Sequence, residues 1–359
     1  MDKILEVASI FLPDEKIISS EPLGNGHINS TFLIKTDKGQ YTLQKINTSI
    51  FADVDGLMSN IQSVTHHIRK KAQAIGQDPQ RATLHFLSAP DGKKYIFFDG
   101  DAYRMYKFID SAFTIEKMEN PEHFYQSGIA FGNFAQDLSD FDASKLNETI
   151  KNFHNTPSRY NDFEKAVENN LSGRLSEVSS EVEFVRARRA FMSMFMDRLN
   201  DGSLPMRVTH NDTKLNNVLF DEKTGKPAAV IDLDTVMPGS YLFDFGDAIR
   251  FGATHAAEDE KNLSLVDFDL GLYESFTKGY LETCAKSLTK VEIDLLPYAS
   301  IMLTLECGMR FLSDHLNGDT YFRISREGHN LDRARTQFKL VSEMEKHVDD
   351  MRNIIQKYI

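Results

Sequence analysis

The first part of the chain alternates apolar and polar residues over several short segments. The segments are 16–23, 30–36, 41–47, 82–87, 94–99 and 101–109. Such alternation is typical of half-buried β-strands, and the turn pairs Asp91-Gly92 and Asp99-Gly100 indicate tight connections between strands. A helical stretch at 53–72 follows the third segment. The pattern therefore predicts a small antiparallel sheet with one helix inserted after its third strand.

From residue 121 onward the spacing of apolar residues becomes helical. Amphipathic stretches lie near 121–139, 174–199, 265–286, 291–315 and 331–357, and a β-rich island at 206–235 interrupts them. We therefore predict an α+β fold with two lobes. The antiparallel-sheet N-lobe covers residues 1–110, and the mainly helical C-lobe covers residues 111–359.

Composition narrows the class of protein. A length of 359 residues with 41% hydrophobic and 26% charged residues is typical of a globular enzyme with two lobes. A net charge of −12 repels nucleic acids and anionic membranes. Two cysteines are too few for a disulfide framework, and the N-terminal residues resemble an amphipathic helix rather than a signal peptide. The apolar stretch 295–311 contains Glu306 and Arg310, so it predicts a buried helix, and we expect a cytoplasmic monomer without a nucleic-acid or membrane partner.

The segment RVTHNDTKLNNVLF at 207–220 carries the most informative chemistry. His210, Asp212 and Asn217 fit the kinase catalytic-loop pattern H-x-D-x-x-x-x-N, and Asp232 follows one strand later. In kinase-type phosphoryl transfer one carboxylate accepts the hydroxyl proton, while an amide and a second carboxylate hold magnesium. We therefore predict Asp212 as the base and Asn217 and Asp232 as ligands of Mg2+. Asp234, on the same predicted extended segment, is expected to point toward substrate or solvent.

Other roles are open for this loop. An isolated loop aspartate such as Asp212 often caps a turn, and His210 is expected to brace the loop rather than react. Asp244 and Asp247, in the string FDFGD, are expected to brace it as well. A metallohydrolase would need several imidazoles or carboxylates in one place, and only one histidine is near in sequence.

The nucleotide is expected to bind at the turn between the first two strands. The turn PLGNGHIN at 22–29 contains Gly24 and Gly26, whose backbone N–H groups can cover phosphates, although an ordinary hairpin turn has the same composition. The catalytic loop downstream requires such a cover and favours the phosphate-binding interpretation. Asn29 and His27 supply side-chain donors that could reach phosphate or the acceptor, although His27 has closing the turn as its alternative, and Asn25 is also expected to contact the nucleotide.

The third strand departs from the usual kinase pattern, which places a lysine there and pairs it with a glutamate of the following helix. Gln44 and Lys45 stand on opposite faces of this strand, and Gln62 lies where the acid is expected. A neutral Gln44 fits a neutral Gln62, because the loss of both the strand lysine and the helix glutamate avoids a buried unpaired ion. We take Gln44 as the nucleotide contact and leave open whether Lys45 replaces it. The backbone that faces adenine is predicted at Tyr106, Lys107 and Phe108.

A resemblance to a known group of enzymes rests on the strings GNGHINSTFLI, QKINTSIF, YKFI, FHNTPSRYNDF, VTHNDTKLNNVLF, IDLDTVMPGSYLFDFGDAIRFGA and ECGMRFLSDHLNGDTYF. The chain resembles the aminoglycoside phosphotransferase and choline kinase superfamily and is most similar to the bacterial N-acetylhexosamine 1-kinases. The resemblance implies a protein-kinase-like fold. It also implies that ATP and Mg2+ serve to phosphorylate the anomeric hydroxyl of N-acetylglucosamine or N-acetylgalactosamine, which gives the sugar 1-phosphate.

The same resemblance implies an acceptor site for the sugar. Its residues would be Asp212, Asp234, Phe251, Arg310 and Tyr321. From the residues alone, Glu306 is an alternative partner for the Arg310 guanidinium, because the two lie one helical turn apart. Tyr321 follows a Gly-Asp turn and has an ordinary packed position as its alternative.

Other acceptors and other classes of protein remain to be weighed. A choline kinase needs an aromatic cage, for which tryptophan is the best residue, and the chain contains none. An aminoglycoside kinase needs acidic groups, and the C-terminal NIIQKYI supplies no carboxylate side chain. A plain hexose is a further alternative. A catalytically inactive nucleotide-binding protein is disfavoured by the joint presence of Asp212, Asn217 and Asp232, and the short segment after IDLD leaves no activation loop for a protein kinase.

Overall fold

The computed structural model describes residues 3–24, 28–116 and 120–359. The chain divides into two compact units. The first unit comprises Met1–Phe113, Ser144–Lys151 and Leu219–Met237, and the second comprises Thr114–Ala143, Asn152–Val218 and Pro238–Ile359. Each unit is described by itself below.

The first unit is built on a five-stranded antiparallel sheet. Its elements are α1 (Lys3–Phe11), β1 (Ile17–Pro22), β2 (Ser30–Thr36), β3 (Gln40–Ile46), α2 (Val54–Ala74), β4 (Ile96–Phe98) and β5 (Asp101–Lys107), and the strand order is β1-β2-β3-β5-β4. The predicted antiparallel sheet with a helix after its third strand is confirmed. The α1 helix lays Val7, Ala8 and Phe11 on one face of the sheet, against Leu43 and Met105.

The segment 82–87, predicted as a strand, contributes a single bridge instead, between Phe86 and Tyr106. The reason lies in the partners of β5. The hairpin at Asp99-Gly100 pairs β4 with the first residues of β5, so only the end of β5 is left for the preceding segment. There Leu87 donates its backbone N–H to Met105 O at 2.8 Å.

Three shorter strands form a second small sheet. They are β6 (Ala112–Phe113), β8 (Val218–Asp221) and β9 (Pro227–Val230), in the order β6-β8-β9, while β7 (Arg207–Thr209) pairs with β10 (Met237–Gly239). The extended segment predicted to run through Asp232 and Asp234 is wrong. The β9 strand ends at Val230, Asp232 has the left-handed angles φ 57° and ψ 57°, and Leu233–Thr235 form one 3-10 turn. Aspartate tolerates this left-handed conformation because its short side chain can bond locally.

The second unit is mainly helical. Its helices are α3 (Pro121–Asp137), α4 (Thr156–Asn169), α5 (Ser179–Arg186), α6 (Met194–Asn200), α7 (Tyr241–Gly252), α8 (Leu270–Cys284), α9 (Lys290–Leu316), α10 (His329–Lys346) and α11 (Val348–Gln356). The predicted helical stretches near 121–139, 265–286 and 291–315 are confirmed. The stretch 174–199 is divided into α5 and α6 by a 3-10 turn, and 331–357 is divided at His347.

The helices α4 and α7 have no place among the predicted amphipathic stretches. All residues of α7 except Phe251 are buried. A helix that is buried on every side lacks the polar face that gives amphipathic periodicity. The α4 helix begins with Thr156 and Pro157 after the cap residue Asn155, so its start is marked by local signals rather than by an apolar stripe.

The α9 helix forms the centre of the second unit. Thr289 and Glu292 close a capping box at its start. In the described part of the chain it is the one helix long and apolar enough to cross a membrane, and 83% of its most apolar window is buried inside the protein. The predicted burial of 295–311 is therefore confirmed.

Candidate active site

The residues of the predicted catalytic loop lie in the second unit and follow β7. Side chains of α7 hold the backbone of this loop. Asp244, buried at the start of α7, accepts the backbone N–H groups of His210 at 2.8 Å and Asn211 at 2.7 Å. Burial raises the pKa of Asp244 to about 6, although the nearby His210 and the two N–H groups oppose this rise. Asp247 accepts the backbone N–H of Thr213 at 3.1 Å. Both aspartates therefore brace the loop, as predicted.

His210 is enclosed completely in the second unit. The ring centroids of Phe131 and Phe134 lie 5.6 and 5.7 Å from that of the imidazole, both edge-on. Asp212 donates its backbone N–H to His210 Nδ1 at 3.3 Å. The imidazole thus supports the backbone of Asp212, which agrees with the predicted bracing role.

Asp212 and Asn217 meet on this loop. Asn217 donates Nδ2 to the Asp212 carboxylate at 3.1 Å and to the Asp212 backbone oxygen at 2.8 Å. Lys214 places its Nζ 2.7 Å from the other carboxylate oxygen of Asp212. The Asp212 side chain keeps 26% of its surface exposed, so a small acceptor can reach it. The loop thus presents a carboxylate held between an amide and a cation.

Lys214, which the sequence interpretation did not single out, is the charged neighbour of Asp212. Burial disfavours its charge, but the attraction of Asp212 outweighs this effect and raises the pKa of Lys214. The ammonium therefore stays charged beside the predicted base. It stands two residues after Asp212, inside the loop motif, and this position was the signal for it in the sequence.

Asp234 lies in the first unit and is almost completely buried, with 3% of its surface exposed. Asn29 donates Nδ2 to its Oδ2 at 2.5 Å, and Arg104 brings Nη1 to 2.5 Å from its Oδ1. The second contact is an ion pair without the alignment of a hydrogen bond. Asn29 also accepts the backbone N–H of Asn47 through Oδ1. The side chain of Asn29, predicted to contact phosphate or acceptor, is therefore engaged inside the unit.

One face of the sheet carries Gln44 and the other carries Lys45. Gln44 stands directly between Thr31 on β2 and Arg104 on β5. It accepts Arg104 Nε at 2.9 Å and donates to Thr31 Oγ1 at 3.1 Å. Lys45 pairs with Asp101 at 2.8 Å on the opposite face. Of the two neighbouring side chains, Gln44 is thus the one that shares a face with Arg104 and Asp234.

Arg104 is the second residue that the sequence interpretation missed. It is 2% exposed and lies on β5 directly opposite Gln44 of β3. In the segment DAYRMYKFI, alternation places Arg104 on the face opposite Tyr103 and Met105, so the pattern gave no signal that this charged residue is buried.

The structure describes part of the turn predicted to cover the phosphates, and all of the segment Tyr106, Lys107 and Phe108, called the hinge, that is predicted to face adenine. Gly24 has a positive φ of 71°, and the preceding Leu23 donates its backbone N–H to Thr31 O, which closes the turn. The predicted contacts Asn25, Gly26 and His27 lie outside the described residues. At the hinge, Lys107 and Phe108 donate their backbone N–H groups to His85 O and Gln40 O, and the Tyr106 ring meets Phe86 edge-on at 5.2 Å.

Arg310 and Tyr321 lie together in the second unit. The guanidinium carbon of Arg310 lies 5.6, 5.8 and 5.4 Å from the ring centroids of Phe153, Tyr321 and Phe322. Arg310 Nη2 and Tyr321 Oη are 3.5 Å apart, and Tyr321 is 66% exposed. Phe251, at the end of α7, is 39% exposed. The cluster of Arg310, Phe153, Tyr321 and Phe322 is called the arginine–aromatic cluster below.

Glu306 has partners other than Arg310. His154 Nδ1 lies 2.8 Å from Glu306 Oε1, and Thr156 donates its hydroxyl to Oε2 at 2.6 Å. Burial opposes the charge on Glu306, but His154, Thr156 and Arg310 together lower the pKa of this carboxyl. The alternative that Glu306 binds Arg310 in a direct ion pair is therefore not what the structure shows, and Arg310 can direct its donors elsewhere.

The loop that carries Tyr321 is fixed by one buried carboxylate. Asp314 Oδ1 accepts the backbone N–H groups of Thr320 at 2.9 Å and Tyr321 at 2.8 Å. Asp314 Oδ2 accepts the N–H of Phe322 at 2.9 Å and the Nδ2 of Asn330 at 2.8 Å. Four donors on one carboxylate hold the loop in a single arrangement.

The residues predicted as metal ligands are of the right chemical type for magnesium. Asn217 directs its amide nitrogen to Asp212, which turns its amide oxygen the other way. Asp232 supplies a carboxylate. Amide and carboxylate oxygens are the hard ligands that Mg2+ prefers.

Three comparisons place the chain among known proteins. A model of the phosphotransferase enzyme family matches residues 19–276. Among curated proteins, an uncharacterised kinase-like protein of Caenorhabditis elegans is 34% identical over 84 residues, which cover 23% of this chain and 21% of that protein. The match therefore spans about a fifth of that relative.

Solved structures match over nearly the whole chain. An aminoglycoside phosphotransferase from Alicyclobacillus acidocaldarius has a TM-score of 0.65 at 13% identity and covers 98% of this chain and 96% of its own. A microcompartment-associated aminopropanol kinase has a TM-score of 0.57 at 15% identity, with 97% and 98% covered. A spectinomycin phosphotransferase in complex with ADP and spectinomycin has a TM-score of 0.58 at 11% identity, with 96% and 98% covered.

At these identities the structural matches show the fold. The predicted α+β fold, with an antiparallel-sheet N-terminal region and a helical C-terminal region, is confirmed as the protein-kinase-like fold of the aminoglycoside phosphotransferases. The family model covers well over half of the chain. The chain therefore belongs to the phosphotransferase enzyme family, and it is a kinase-like phosphotransferase.

Proposed function

We propose that the protein transfers the terminal phosphate of ATP to the anomeric hydroxyl of an N-acetylhexosamine, which gives the sugar 1-phosphate. The observation that carries the phosphoryl-transfer part is the Asp212 carboxylate, held between Asn217 and Lys214 on a loop braced by α7. A carboxylate in this setting is fixed in one position yet open to solvent, as a general base must be.

The roles follow from the chemistry of each group. Asp212 accepts the proton of the attacking hydroxyl, and Lys214 adds positive charge beside the site where the phosphoryl group arrives. Asn217 and Asp232 are the ligands of Mg2+. When bound, Mg2+ neutralises charge on the phosphate oxygens. Gln44, Gly24 and the hinge at Tyr106, Lys107 and Phe108 are proposed for the nucleotide, together with Asn25, Gly26, His27 and Asn29.

The arginine–aromatic cluster supports a neutral sugar as the acceptor. An exposed tyrosine ring can stack on the apolar face of a sugar, and the five donors of a guanidinium can bind its hydroxyl and carbonyl oxygens. A cationic acceptor such as choline or an aminoglycoside would meet the positive charge of Arg310 at this place. Asp234 and Phe251 remain predictions for the same pocket. A plain hexose is the second candidate, because the contacts of Arg310 and Tyr321 fit its hydroxyl groups as well.

The proposal is tested by measuring ATP consumption with N-acetylglucosamine, N-acetylgalactosamine, glucose, galactose, choline and kanamycin. Consumption is expected with the N-acetylhexosamines, and phosphorus NMR of the product should show an ester at the anomeric carbon. The isosteric variant Asp212→Asn serves as the matched negative control. Turnover confined to choline or kanamycin, or an ester at another hydroxyl, contradicts the proposal.

A further inference from the structure

The first unit contains a buried cation that the proposed mechanism does not use. Arg104 projects from β5 onto the face of the sheet opposite α1 and is 2% exposed. Fixing a long side chain in the interior costs conformational entropy, and removing its charge from water costs more. A buried arginine is tolerated only where its partners offset these free-energy costs. The partners of Arg104 therefore indicate what the residue does.

The oxygen partners of Arg104 belong to one small cluster, while Met58 Sδ and the Phe86 ring also contact its guanidinium. Its Nε donates to Gln44, which in turn donates to Thr31. Its Nη1 forms the ion pair with Asp234, whose second oxygen accepts Asn29. Burial lowers the pKa of Arg104, but the carboxylates of Asp234 and Asp232 more than restore it.

The Arg104–Asp234 ion pair anchors a turn that lies outside the strands and the α-helices. Asp232 has left-handed angles and lies beyond the end of β9, so the ladder of β8 and β9 does not fix it. Asp234 is two residues further on, in the single 3-10 turn. Because the chain between these residues is so short, the position of the Asp234 carboxylate limits the position of the Asp232 carboxylate. The second anchor of the turn is Asn60, which donates Nδ2 to Val236 O at 2.9 Å.

We propose that the Arg104–Asp234 ion pair positions Asp232 for magnesium, and that it replaces the pair of strand lysine and helix glutamate found in protein kinases. The inference rests on the proposed function, because it takes Asp232 as a ligand of Mg2+. Gln44 occupies the lysine position on β3 as a neutral spacer. Compared with protein kinases, the positive charge in this chain is on β5 rather than on β3. The carboxylate that pairs with it is on the 232–235 turn rather than on α2.

The ion pair acts on Asp232 indirectly, because it fixes the position of Asp234. Side chains that surround a metal ligand commonly orient that ligand in this way. Loss of such an outer contact typically weakens metal binding by about 10- to 100-fold without removing a ligand. The nucleotide itself gains affinity from Mg2+ only if Asp232 is in place. The Mg2+-linked part of ADP affinity is therefore the quantity that the pair controls.

The test measures ADP binding by isothermal titration calorimetry, with Mg2+ and with EDTA, on the full chain. The double variant Arg104→Met/Asp234→Asn removes both charges and so avoids a buried unpaired ion. We expect its melting temperature to stay near that of the wild type and its Mg2+-free ADP affinity to change little. The gain in ADP affinity caused by Mg2+ should fall by about tenfold or more.

The matched control is Lys45→Met, which breaks the ion pair of the same two strands on the opposite face. It should leave the Mg2+-linked gain unchanged. A double variant that keeps the full gain, or that loses Mg2+-free and Mg2+-linked affinity alike, overturns the inference. A rise confined to the sugar KM would overturn it as well and would assign Asp234 to the acceptor site.

A further variant separates failure of the inference from failure of the proposed function. Asp232→Asn should abolish the Mg2+-linked gain in the same titration. If it does not, the metal assignment of Asp232 fails, and the proposed mechanism and the inference fall together. If Asp232→Asn abolishes the gain while the Arg104→Met/Asp234→Asn double variant retains it, the inference alone is wrong.

Discussion

Asp212 is held by two donors, the neutral Asn217 amide and the charged Lys214 ammonium, and these contacts limit what its carboxylate can do. The Asn217 amide and the Lys214 ammonium both contact its carboxylate, at 3.1 and 2.7 Å. These contacts limit the rotation of the side chain, while its exposed part remains open to an acceptor. The Asp212 side chain therefore loses little conformational entropy when a substrate binds, which favours efficient proton transfer.

The variant Asp212→Asn tests this role. The amide has the same shape but cannot accept a proton, so kcat should fall by about 10²- to 10⁴-fold. Because the Asn217 and Lys214 side chains remain, ADP affinity should stay near that of the wild type. Steady-state kinetics and calorimetric titration of ADP check the two parts. A kcat equal to that of the wild type would remove the base assignment.

Asp244 links the activity to pH. Its pKa is raised by burial from 3.8 to about 6, and the groups that face it are His210, His154 and the backbone N–H groups of the loop. Protonation removes the anion that accepts two of those N–H groups, so kcat should fall as pH decreases through about 6.

As pH decreases, the effect of Asp244 on the stability of the fold has the opposite sign to its effect on kcat. Because its folded pKa lies above its usual value, the folded protein binds this proton more tightly than the unfolded chain does between about pH 6 and 4. This carboxyl therefore adds to the free energy of unfolding as pH falls, and the lost activity is not a result of unfolding at this group. In Asp244→Asn the step in kcat near pH 6 should disappear, and an unchanged pH profile would contradict the assignment.

At the scale of elements, the loop after α9 depends on one carboxylate. Asp314 accepts the backbone N–H groups of three successive residues, Thr320 to Phe322. Replacing it with asparagine sets an amide nitrogen against at least one of these donors. The loop then loses its fixed arrangement, and Tyr321 is no longer held beside Arg310.

For Asp314→Asn we therefore expect the KM for the sugar to rise by roughly tenfold, which corresponds to the loss of about one charge-assisted hydrogen bond. The KM for ATP should not change, and this split separates an effect on the loop from general destabilisation. Asp294→Asn is the matched control, since Asp294 lies on the same helix, is exposed and pairs with Lys290 at 2.6 Å. Equal changes in both KM values would count against the role of Asp314.

Elements differ in how far the sequence determines them. The catalytic loop was predictable because His210, Asp212 and Asn217 are close in sequence and their spacing is itself the signal. The place of Arg104 was not, because it depends on the register that sets β3 against β5. The turn at Asp232 was read as strand, since the apolar run before it continues the β pattern and a left-handed residue leaves no mark on that pattern.

At the scale of the whole molecule, the compact units are not contiguous in sequence. The first unit draws in Ser144–Lys151 and Leu219–Met237, which the chain reaches only after it has entered the second unit. Within the first unit, Asn60 on α2 donates to Asn147 O and to Val236 O, which ties both late segments to the same helix. Local pattern shows which segments form strands and helices, but only long-range contacts of this kind show to which unit a segment belongs. The nucleotide and metal that the proposal assigns to this chain should bind its folded state and so stabilise it.

Removal of metal tests this consequence. A ligand that binds only the folded state at about 100 times its Kd adds about 2.7 kcal/mol to the free energy of unfolding. ADP with Mg2+ should therefore raise the melting temperature by a few degrees, and EDTA should remove most of the shift, because it removes the metal on which the proposed binding of the phosphates depends. In Asp232→Asn the shift with ADP should be small and independent of Mg2+. The same measurement on Asp221→Asn, a turn aspartate bonded to Thr224 outside the proposed site, should resemble the wild type. A melting temperature that rises equally with ADP in EDTA would show that the nucleotide is bound without the metal that the proposed mechanism requires.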